Sequence, residues 1–181
     1  MGVAEIVGET PDIAYAVADT PIGAVTVATW QEKVCWLSFV SSKPAEWELD
    51  MWCKRWLGND VRCTAGEADV QPVLKQLDEY FAGKRCYFDV PIAFLGGTSF
   101  QQKVWQELLN IPYGEVRTYK EIAQAVGIPK AVRAVGGANN RNPLSIIVPC
   151  HRVIGSNGAL VGYGGGLEKK EYLLRLEGYL Q

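Results

Sequence analysis

The feature that most constrains the fold is a pair of helix-start motifs in the second half of the chain. A Thr-x-x-Gln motif occupies residues 98–101 and a Thr-x-x-Glu motif occupies residues 118–121. In such a capping box, the two side chains satisfy backbone N–H groups at the start of a helix, so each motif predicts a first turn. The second helix ends at Gly127, and a third helix is predicted over residues 130–139. Two helices joined by a short turn that contains glycine form a helix-turn-helix.

The third predicted helix has an unusually smooth surface. Ala131, Ala134, Gly137 and Ala138 are small, and Arg133 is the one long side chain among them. A helix that reads bases in the major groove normally carries several polar side chains. Small residues with one arginine suit close approach to a narrow groove without sequence reading. They suit a helix packed in the core equally well, and the pattern leaves both interpretations open.

The first half of the chain predicts a small α/β unit. Runs rich in β-branched and aromatic residues predict an antiparallel sheet, and two stretches with helical spacing predict helices that pack on it. The predicted strands are residues 13–18, 24–29 and 33–40, and the predicted helices are residues 44–57 and 70–81. In the first of these helices, Trp47, Met51, Trp52 and Trp56 form a stripe that we expect in the core.

Length and composition allow two such units. The chain has 181 residues, of which 48% are hydrophobic, enough for a sizeable core. A proline and a glycine pair make residues 91–98 the best candidate for a linker. We therefore expect an N-terminal α/β domain, a small antiparallel sheet with helices, over residues 1–95. A mostly α-helical domain that contains the helix-turn-helix is expected over residues 96–181.

Charge is distributed unevenly between the two halves. The formal net charge is only −2, which alone argues against a nucleic-acid partner. Residues 1–97 hold 8 Lys or Arg and 14 Asp or Glu, whereas residues 98–181 hold 10 and 6. A basic second half predicts that this half alone contacts a polyanion. Chance variation in composition is the alternative.

Cysteine and histidine usage restricts the remaining function classes. Five cysteines, no Cys-x-x-Cys pair and no signal peptide predict a reducing compartment, the cytoplasm or, in a eukaryotic cell, the nucleus. A single histidine argues against a structural zinc site, so we expect no metal. No run approaches the roughly 18 apolar residues of a membrane span, so we expect no membrane partner.

The richest chemical signal is the pair Cys150–His151. An apolar run over residues 144–148 and a proline precede it, which predicts a buried strand that delivers a thiol to a turn. A thiol becomes a nucleophile as its thiolate, and imidazole is the side chain whose proton moves near neutral pH. A buried cysteine that merely neighbours a histidine is the alternative.

A glycine-rich loop over residues 155–166 follows the Cys-His pair, and it allows close approach of backbone to a flat ligand. The loop lacks the P-loop pattern for phosphate. A terminal helix is predicted from about Leu167. We expect Lys169, Lys170, Arg175 and Glu177 on its charged face.

Three segments together resemble the O6-alkylguanine-DNA alkyltransferases, which repair DNA by direct reversal. They read Glu-Val-Arg-Thr-Tyr-Lys-Glu-Ile-Ala from 115, Lys-Ala-Val-Arg-Ala-Val-Gly-Gly-Ala from 130, and Arg-Asn-Pro followed by Val-Pro-Cys-His-Arg-Val over 141–153. The similarity covers residues 98–178 almost without gaps, and its end resembles bacterial members. Residues 1–90 resemble the family's variable N-terminal domain only in size and pattern.

The resemblance implies a single-turnover reaction. A damaged guanine would rotate out of the duplex, and Cys150 would take the alkyl group from O6, with O4 of thymine as a further target. His151 would act as the base through a water molecule, and Glu177 would orient its ring. Without the family, Glu177 is simply an exposed helix carboxylate. The resemblance implies no cofactor.

The resemblance also implies residues that contact the substrate and DNA. Tyr119 would help to turn the nucleotide out and would protonate the base, and Arg133 would fill the gap left in the stack. Asn142 would bridge turns beneath the site. Backbone carbonyls at Cys150 and Val153 would accept from the guanine amine. The remaining contacts are expected from the glycine-rich loop, at Ser156 and Gly164, and the glycine at 164 stands where other members can carry serine.

Two alternatives belong to other classes of protein. One is a cysteine hydrolase built on Cys150 and His151, which would lack the distant second histidine of papain-like sites. The other is a regulator that binds DNA through the helix-turn-helix alone, which the small third helix argues against. Under the favoured hypothesis, the protein is a monomer whose partner is double-stranded DNA containing O6-alkylguanine.

Overall fold

The first part of the molecule is a sheet with one helix on each face. The computed structural model describes residues 12–181. In chain order, the elements of the first part are β1 (Asp12–Ala18), β2 (Val25–Trp30), β3 (Lys33–Phe39), α1 (Ala45–Trp56), β4 (Arg62–Ala65) and α2 (Glu67–Phe81). Helix α1 covers a cluster that includes Ile13, Cys35 and Leu49 on one face of the sheet. Helix α2 contributes to the larger core on the other face.

The sheet is mixed, whereas the sequence predicts an antiparallel one. The strand order is β3-β2-β1-β4, with antiparallel pairing of β1 with β2 and of β2 with β3. Strand β4 pairs parallel to β1 at the edge. Its four residues, Arg-Cys-Thr-Ala, are mostly exposed. Such a short edge strand has no alternating apolar pattern from which to predict it.

The prediction that the tryptophan stripe of α1 lies in the core is wrong for Trp47 and Met51, whereas Trp52 packs against the buried cluster on that face. Leu49 and Cys53 are the buried residues of this helix, whereas Trp47 and Met51 are 45% and 47% exposed. Trp52 is half-buried, and its ring lies 5.1 Å from that of Trp36. The helix therefore buries a narrow stripe of smaller side chains.

The second part is mostly helical, as the sequence predicts. Its elements are α3 (Ser99–Leu108), β5 (Arg117–Thr118), α4 (Tyr119–Ala125), α5 (Val132–Asn140), a 3-10 turn (Cys150–Arg152), β6 (Val153–Ile154) and α6 (Leu167–Leu176). Both capping boxes form, at Thr98 with Gln101 and at Thr118 with Glu121. Helices α4 and α5 pack on each other across a turn that contains Gly127, so the predicted helix-turn-helix is confirmed.

The segment predicted as a linker is tied to the sheet. Val34 of β3 donates its N–H to Pro91 O at 2.8 Å, and Ala93 N donates to Val34 O at 2.9 Å. Phe94 packs on the ring of Trp105 in α3. One hydrophobic core therefore continues from the sheet into the helical part.

Two further observations concern the described residues as a whole. Over residues 12–181, none of the helices combines the length and apolar character that a membrane crossing requires. In the same range, no three histidine, cysteine or carboxylate side chains gather as metal ligands would.

Candidate active site

A tight loop delivers Cys150, and the prediction of a buried strand before it is wrong. The Asn142 side chain closes this loop, because its Oδ1 accepts from Leu144 N at 3.0 Å and its Nδ2 donates to Val148 O at 2.8 Å. Ile146 adopts a positive φ of 72°, which turns the chain. An apolar run does not by itself distinguish a buried strand from a buried loop, and here side-chain hydrogen bonds decide for the loop.

Cys150 is buried at the start of the 3-10 turn. Burial raises the pKa of its thiol to about 11, although a hydrogen bond with Asn142 and the charge of Lys170 act in the opposite direction. Asn139 of α5 donates from Nδ2 to Cys150 O at 3.2 Å. Because the thiol is mainly protonated at neutral pH, its attack as a thiolate requires a proton acceptor.

His151 is completely buried, and its two ring nitrogens have different surroundings. Nε2 lies 2.8 Å from Glu177 Oε1, whereas Nδ1 has no hydrogen-bond partner among the described residues. Burial lowers the pKa of His151, although Glu177 opposes this shift. The ring is therefore neutral near pH 7. A carboxylate at Nε2 favours the tautomer that carries its proton there, so Nδ1 is left as a proton acceptor.

Glu177 is not the exposed carboxylate that the helix pattern predicts. It is 5% exposed and accepts hydrogen bonds from four groups. The donors are His151 Nε2 at 2.8 Å, Tyr80 Oη at 2.6 Å, Arg152 through Nε at 2.8 Å and Nη2 at 2.9 Å, and Gly114 N at 3.4 Å. Burial would raise the pKa of Glu177, but the hydrogen bonds from His151 and Arg152 outweigh it and lower the pKa to about 2. The carboxylate is therefore a fixed negative charge behind the imidazole.

Lys170 also lies inside the protein, whereas the sequence places it on the charged face of the last helix. Its side chain is fully buried, and Nζ donates to Val153 O and, at 2.7 Å, to Val161 O. Burial lowers its pKa to about 8, and the Cys150 thiolate would act against this shift. The ammonium group thus ties the strand after Cys150 to the glycine-rich loop and supplies positive charge near the thiol.

Two family models match this chain over its two parts. The ribonuclease-like domain of 6-O-methylguanine DNA methyltransferase matches residues 13–94, and the DNA-binding domain of the same protein matches residues 99–179. The chain belongs to this methyltransferase family. The resemblance found in the sequence is thereby confirmed.

Relatives of known name extend the match to nearly full length. The methylated-DNA–protein-cysteine methyltransferase of Methanosarcina acetivorans is 48% identical over 164 residues, which cover 91% of this chain and 97% of the relative. The constitutive enzyme of Bacillus subtilis is 48% identical over 90% and 94% of the two chains. The crystal structure of the Mycobacterium tuberculosis O6-methylguanine methyltransferase in complex with DNA has a TM-score of 0.75 at 42% identity, with 92% of each chain covered.

In this methyltransferase, one face of α5 carries the predicted residue Arg133, and the other face carries Asn139, which the sequence did not single out. Arg133 is exposed on this helix, whereas Asn139 on the buried face reaches the backbone of Cys150. Tyr119, the first residue of α4, is 8% exposed and donates from Oη towards Val161 O and Gly162 O, each at 3.0 Å. Of the small residues of α5, Ala138 packs in the core whereas Ala134 is exposed, so the core interpretation is confirmed for one face and close approach to a DNA groove stays a prediction for the other.

The other predicted substrate contacts lie on the segment after the cysteine. Val153 is buried and its carbonyl already accepts from Lys170, so a guanine amine would use its second lone pair. Ser156 is exposed in the turn that follows β6. Gly164 is exposed too, and a Cβ there would lie 3.3 Å from Asn140 O. Position 164 therefore lacks the serine hydroxyl of other members, and its backbone packs closely against the backbone of Asn140.

Sequence reasoning missed several residues of this site. Arg152 stands out in the sequence only as part of the Pro-Cys-His-Arg motif, and Tyr80 lies 97 positions from the glutamate that it contacts. Tyr163 is 8% exposed, its Oη has no hydrogen-bond partner among the described residues, and its ring packs edge-on against Phe39. For Lys170 a signal existed, because it lies three and four positions before two buried leucines of α6.

Proposed function

We propose that Cys150 is the residue that accepts the alkyl group when this DNA methyltransferase repairs O6-alkylguanine. The observation that carries the proposal is the arrangement of the adjacent imidazole. His151 is buried and neutral, Glu177 holds its Nε2, and Nδ1 is left as an acceptor. A protonated thiol followed by such a base is equipped to form a thiolate on demand.

The transfer is a single displacement. The Cys150 proton passes to His151 Nδ1, directly or through a water molecule, and Glu177 stabilises the imidazolium that results. The sulfur attacks the alkyl carbon, a carbon–sulfur bond forms, and the bond from that carbon to O6 breaks with its electrons going to guanine. Guanine takes up one proton, for which the Tyr119 hydroxyl is the proposed donor. The thioether on Cys150 is not hydrolysed, so each molecule reacts once.

The substrate is an extruded base from double-stranded DNA. Guanine O6 is inaccessible to a buried thiol while the base is stacked, so the nucleotide has to leave the duplex. Arg133 is exposed on the helix whose other face touches Cys150, which fits its proposed role of filling the vacated space. Asn142 fixes the loop, and Val153, Ser156 and Gly164 are proposed to line the path of the base.

We further propose that the protein acts as a monomer in the cytoplasm. The five cysteines are unpaired, as thiols are in a reducing compartment. Family membership disfavours both alternatives from the sequence. A cysteine hydrolase would release its product and turn over, and a regulator would need no buried thiol beside a neutral imidazole.

Replacement of the nucleophile tests the proposal. Cys150→Ala should abolish transfer from DNA that contains O6-methylguanine, while DNA affinity stays within about threefold, because few of the phosphate contacts change. Cys86→Ser is the matched control, since Cys86 is an exposed thiol to which the proposal assigns no role. Residual transfer in Cys150→Ala, or loss of transfer in Cys86→Ser, would refute the assignment.

A further inference from the structure

Two thiols outside the active site lie against each other. Cys53 is on α1 and Cys63 is on β4, and their Sγ atoms are 3.6 Å apart. No bond joins them, since all five cysteines are free. The contact brings together two elements at the edge of the sheet, in the part of the molecule that contributes no thiol to alkyl transfer.

The two thiols have unequal surroundings. Cys53 is 1% exposed, whereas Cys63 is only partly buried and can be reached from solvent. A hydrogen bond from the Cys53 thiol lowers the pKa of Cys63, burial and the Asp50 charge oppose the shift, and the Lys54 charge supports it. The same contact raises the pKa of Cys53, and so does its burial. The solvent-accessible thiol of Cys63 therefore ionises at a lower pH than the buried thiol of Cys53.

The other three cysteines lack this combination. Cys35 is buried, its Sγ donates to Ala28 O at 3.5 Å, and burial raises its pKa to about 12. Cys86 is exposed but has no thiol contact among those described. Cys150 is buried, and its pKa is raised too. The pair does not form a metal site, because no third ligand side chain joins it within residues 12–181.

We propose that Cys53 and Cys63 form a dithiol site that reacts with hydroperoxides and closes to a disulfide. The Cys63 thiolate attacks one peroxide oxygen, the O–O bond breaks, and the departing hydroxide takes up a proton. The sulfenic acid on Cys63 is then attacked by Cys53, which loses its proton as the S–S bond forms and water departs. In total, two thiols and one hydrogen peroxide give one disulfide and two waters.

Oxidation of Cys53 and Cys63 would leave Cys150, the proposed alkyl acceptor, unchanged. A crosslink between residues 53 and 63 ties α1 to β4, and it restricts the unfolded chain more than the folded one. The oxidised protein should therefore melt at a higher temperature and keep its alkyl-transfer capacity. Oxidation of Cys53 and Cys63 can be measured whatever the role of Cys150, because the readout is the state of these two other thiols.

The experiment is mild oxidation of the reduced, full-length protein with about one equivalent of hydrogen peroxide. The intact mass should fall by two hydrogen atoms, and peptide mapping should find Cys53 joined to Cys63. The free thiols, five before oxidation, should lose two. Methyl transfer per molecule should be unchanged. A disulfide that involves Cys35, Cys86 or Cys150, or oxidation of Cys150 before this pair, would overturn the proposal.

Single variants separate the two steps. Cys53→Ser should stop at a sulfenic acid on Cys63 that dimedone traps, whereas Cys63→Ser should give neither the trap product nor the disulfide. Cys86→Ser should behave as the parent does. Each variant is compared at equal folded fraction, judged by its melting temperature. Equal peroxide consumption by the parent and Cys63→Ser would show that Cys63 is not the reactive thiol.

Discussion

The two parts of this methyltransferase contribute to the active site in different ways. The part beyond residue 98 matches the family's DNA-binding domain and supplies the thiol, the imidazole and the carboxylate, together with the exposed helix face that is proposed to contact DNA. The sheet part supplies no group proposed to touch the substrate, yet its Tyr80 donates to Glu177 at 2.6 Å and is 1% exposed. A motif that is local in sequence can therefore depend on another part of the chain for the contacts that fix its electrostatics.

The largest effect within this network is expected from Glu177→Gln. The amide keeps the shape but removes the charge that faces His151 and Arg152. Transfer should fall by about 10²–10⁴-fold, the range that a positioned base contributes. If the loss stayed below threefold, the carboxylate would not support the imidazole. Glu171→Gln, at an exposed position of the same helix, is the control.

The same variant tests the stability that the buried charge contributes. The pKa of Glu177 lies at about 2, below its ordinary value of 4.5. A depressed carboxylate pKa stabilises the fold at pH values above 4.5, and this contribution disappears as the pH falls from 4.5 to about 2. We expect Glu177→Gln to cost about 3 kcal/mol of unfolding free energy at pH 7. Urea unfolding at several pH values should show this difference shrinking below pH 4.5, and a constant difference would contradict the assignment.

Tyr80→Phe should have an intermediate effect, and it tests the link between the two parts. It removes one donor from Glu177 Oε1, so the carboxylate attracts the His151 proton more strongly and the pKa of His151 rises. The His151 ring is then protonated, and unable to act as a base, already at a higher pH. The acid limb of the rate–pH profile should therefore shift to higher pH. The rate at pH 7 should fall by about tenfold or less, and stability by about 1.5–3 kcal/mol.

Exposed Tyr87 provides the control for this substitution. Tyr87→Phe should change neither the profile nor stability, since Tyr87 is 68% exposed. If Tyr80→Phe lowered the transfer rate equally at every pH, without a shift of the rate–pH profile along the pH axis, Tyr80 would only support the fold.

The smallest effect is expected from Arg133→Ala, which separates DNA handling from chemistry. Repair of duplex DNA should slow by roughly threefold, because extrusion of a base costs a few kcal/mol and Arg133 is proposed to offset only a small part of it. Reaction with the free base O6-benzylguanine should be unchanged. Arg62→Ala, at an exposed position in the sheet part, should alter neither reaction. Equal losses on both substrates would place Arg133 in support of the site itself.

The fold could be predicted from the sequence where local signals are strong. Both capping boxes formed, and three strands of the first part lie within about one residue of their predicted bounds. The edge strand β4 could not be predicted, because four mostly exposed residues carry no periodic pattern. The tryptophan stripe predicted burial for Trp47 incorrectly, because an aromatic ring at the surface can interact with a cation instead of packing in the core. Lys43 Nζ, for example, lies 3.7 Å from the ring centre of Trp47.

The candidate site could be predicted only in part. The Cys-His pair is local, and the family resemblance supplied the role of Glu177. Helical spacing places Lys170 and Glu177 on the same face as Leu173 and Leu174. The sequence therefore contained a signal that these two polar residues are buried. Tyr80 carried no such signal, because its hydroxyl meets the carboxylate only after the sheet and the helices have packed together.

Intact-mass analysis is the decisive measurement of alkyl transfer to Cys150. The protein is mixed with an excess of duplex DNA that contains one O6-methylguanine, and the product is digested and mapped. We expect a single methyl group per protein molecule, located on Cys150, with one guanine restored for each molecule consumed. A methyl group on another cysteine, or restoration of many guanines by protein that stays unmodified, would contradict this expectation.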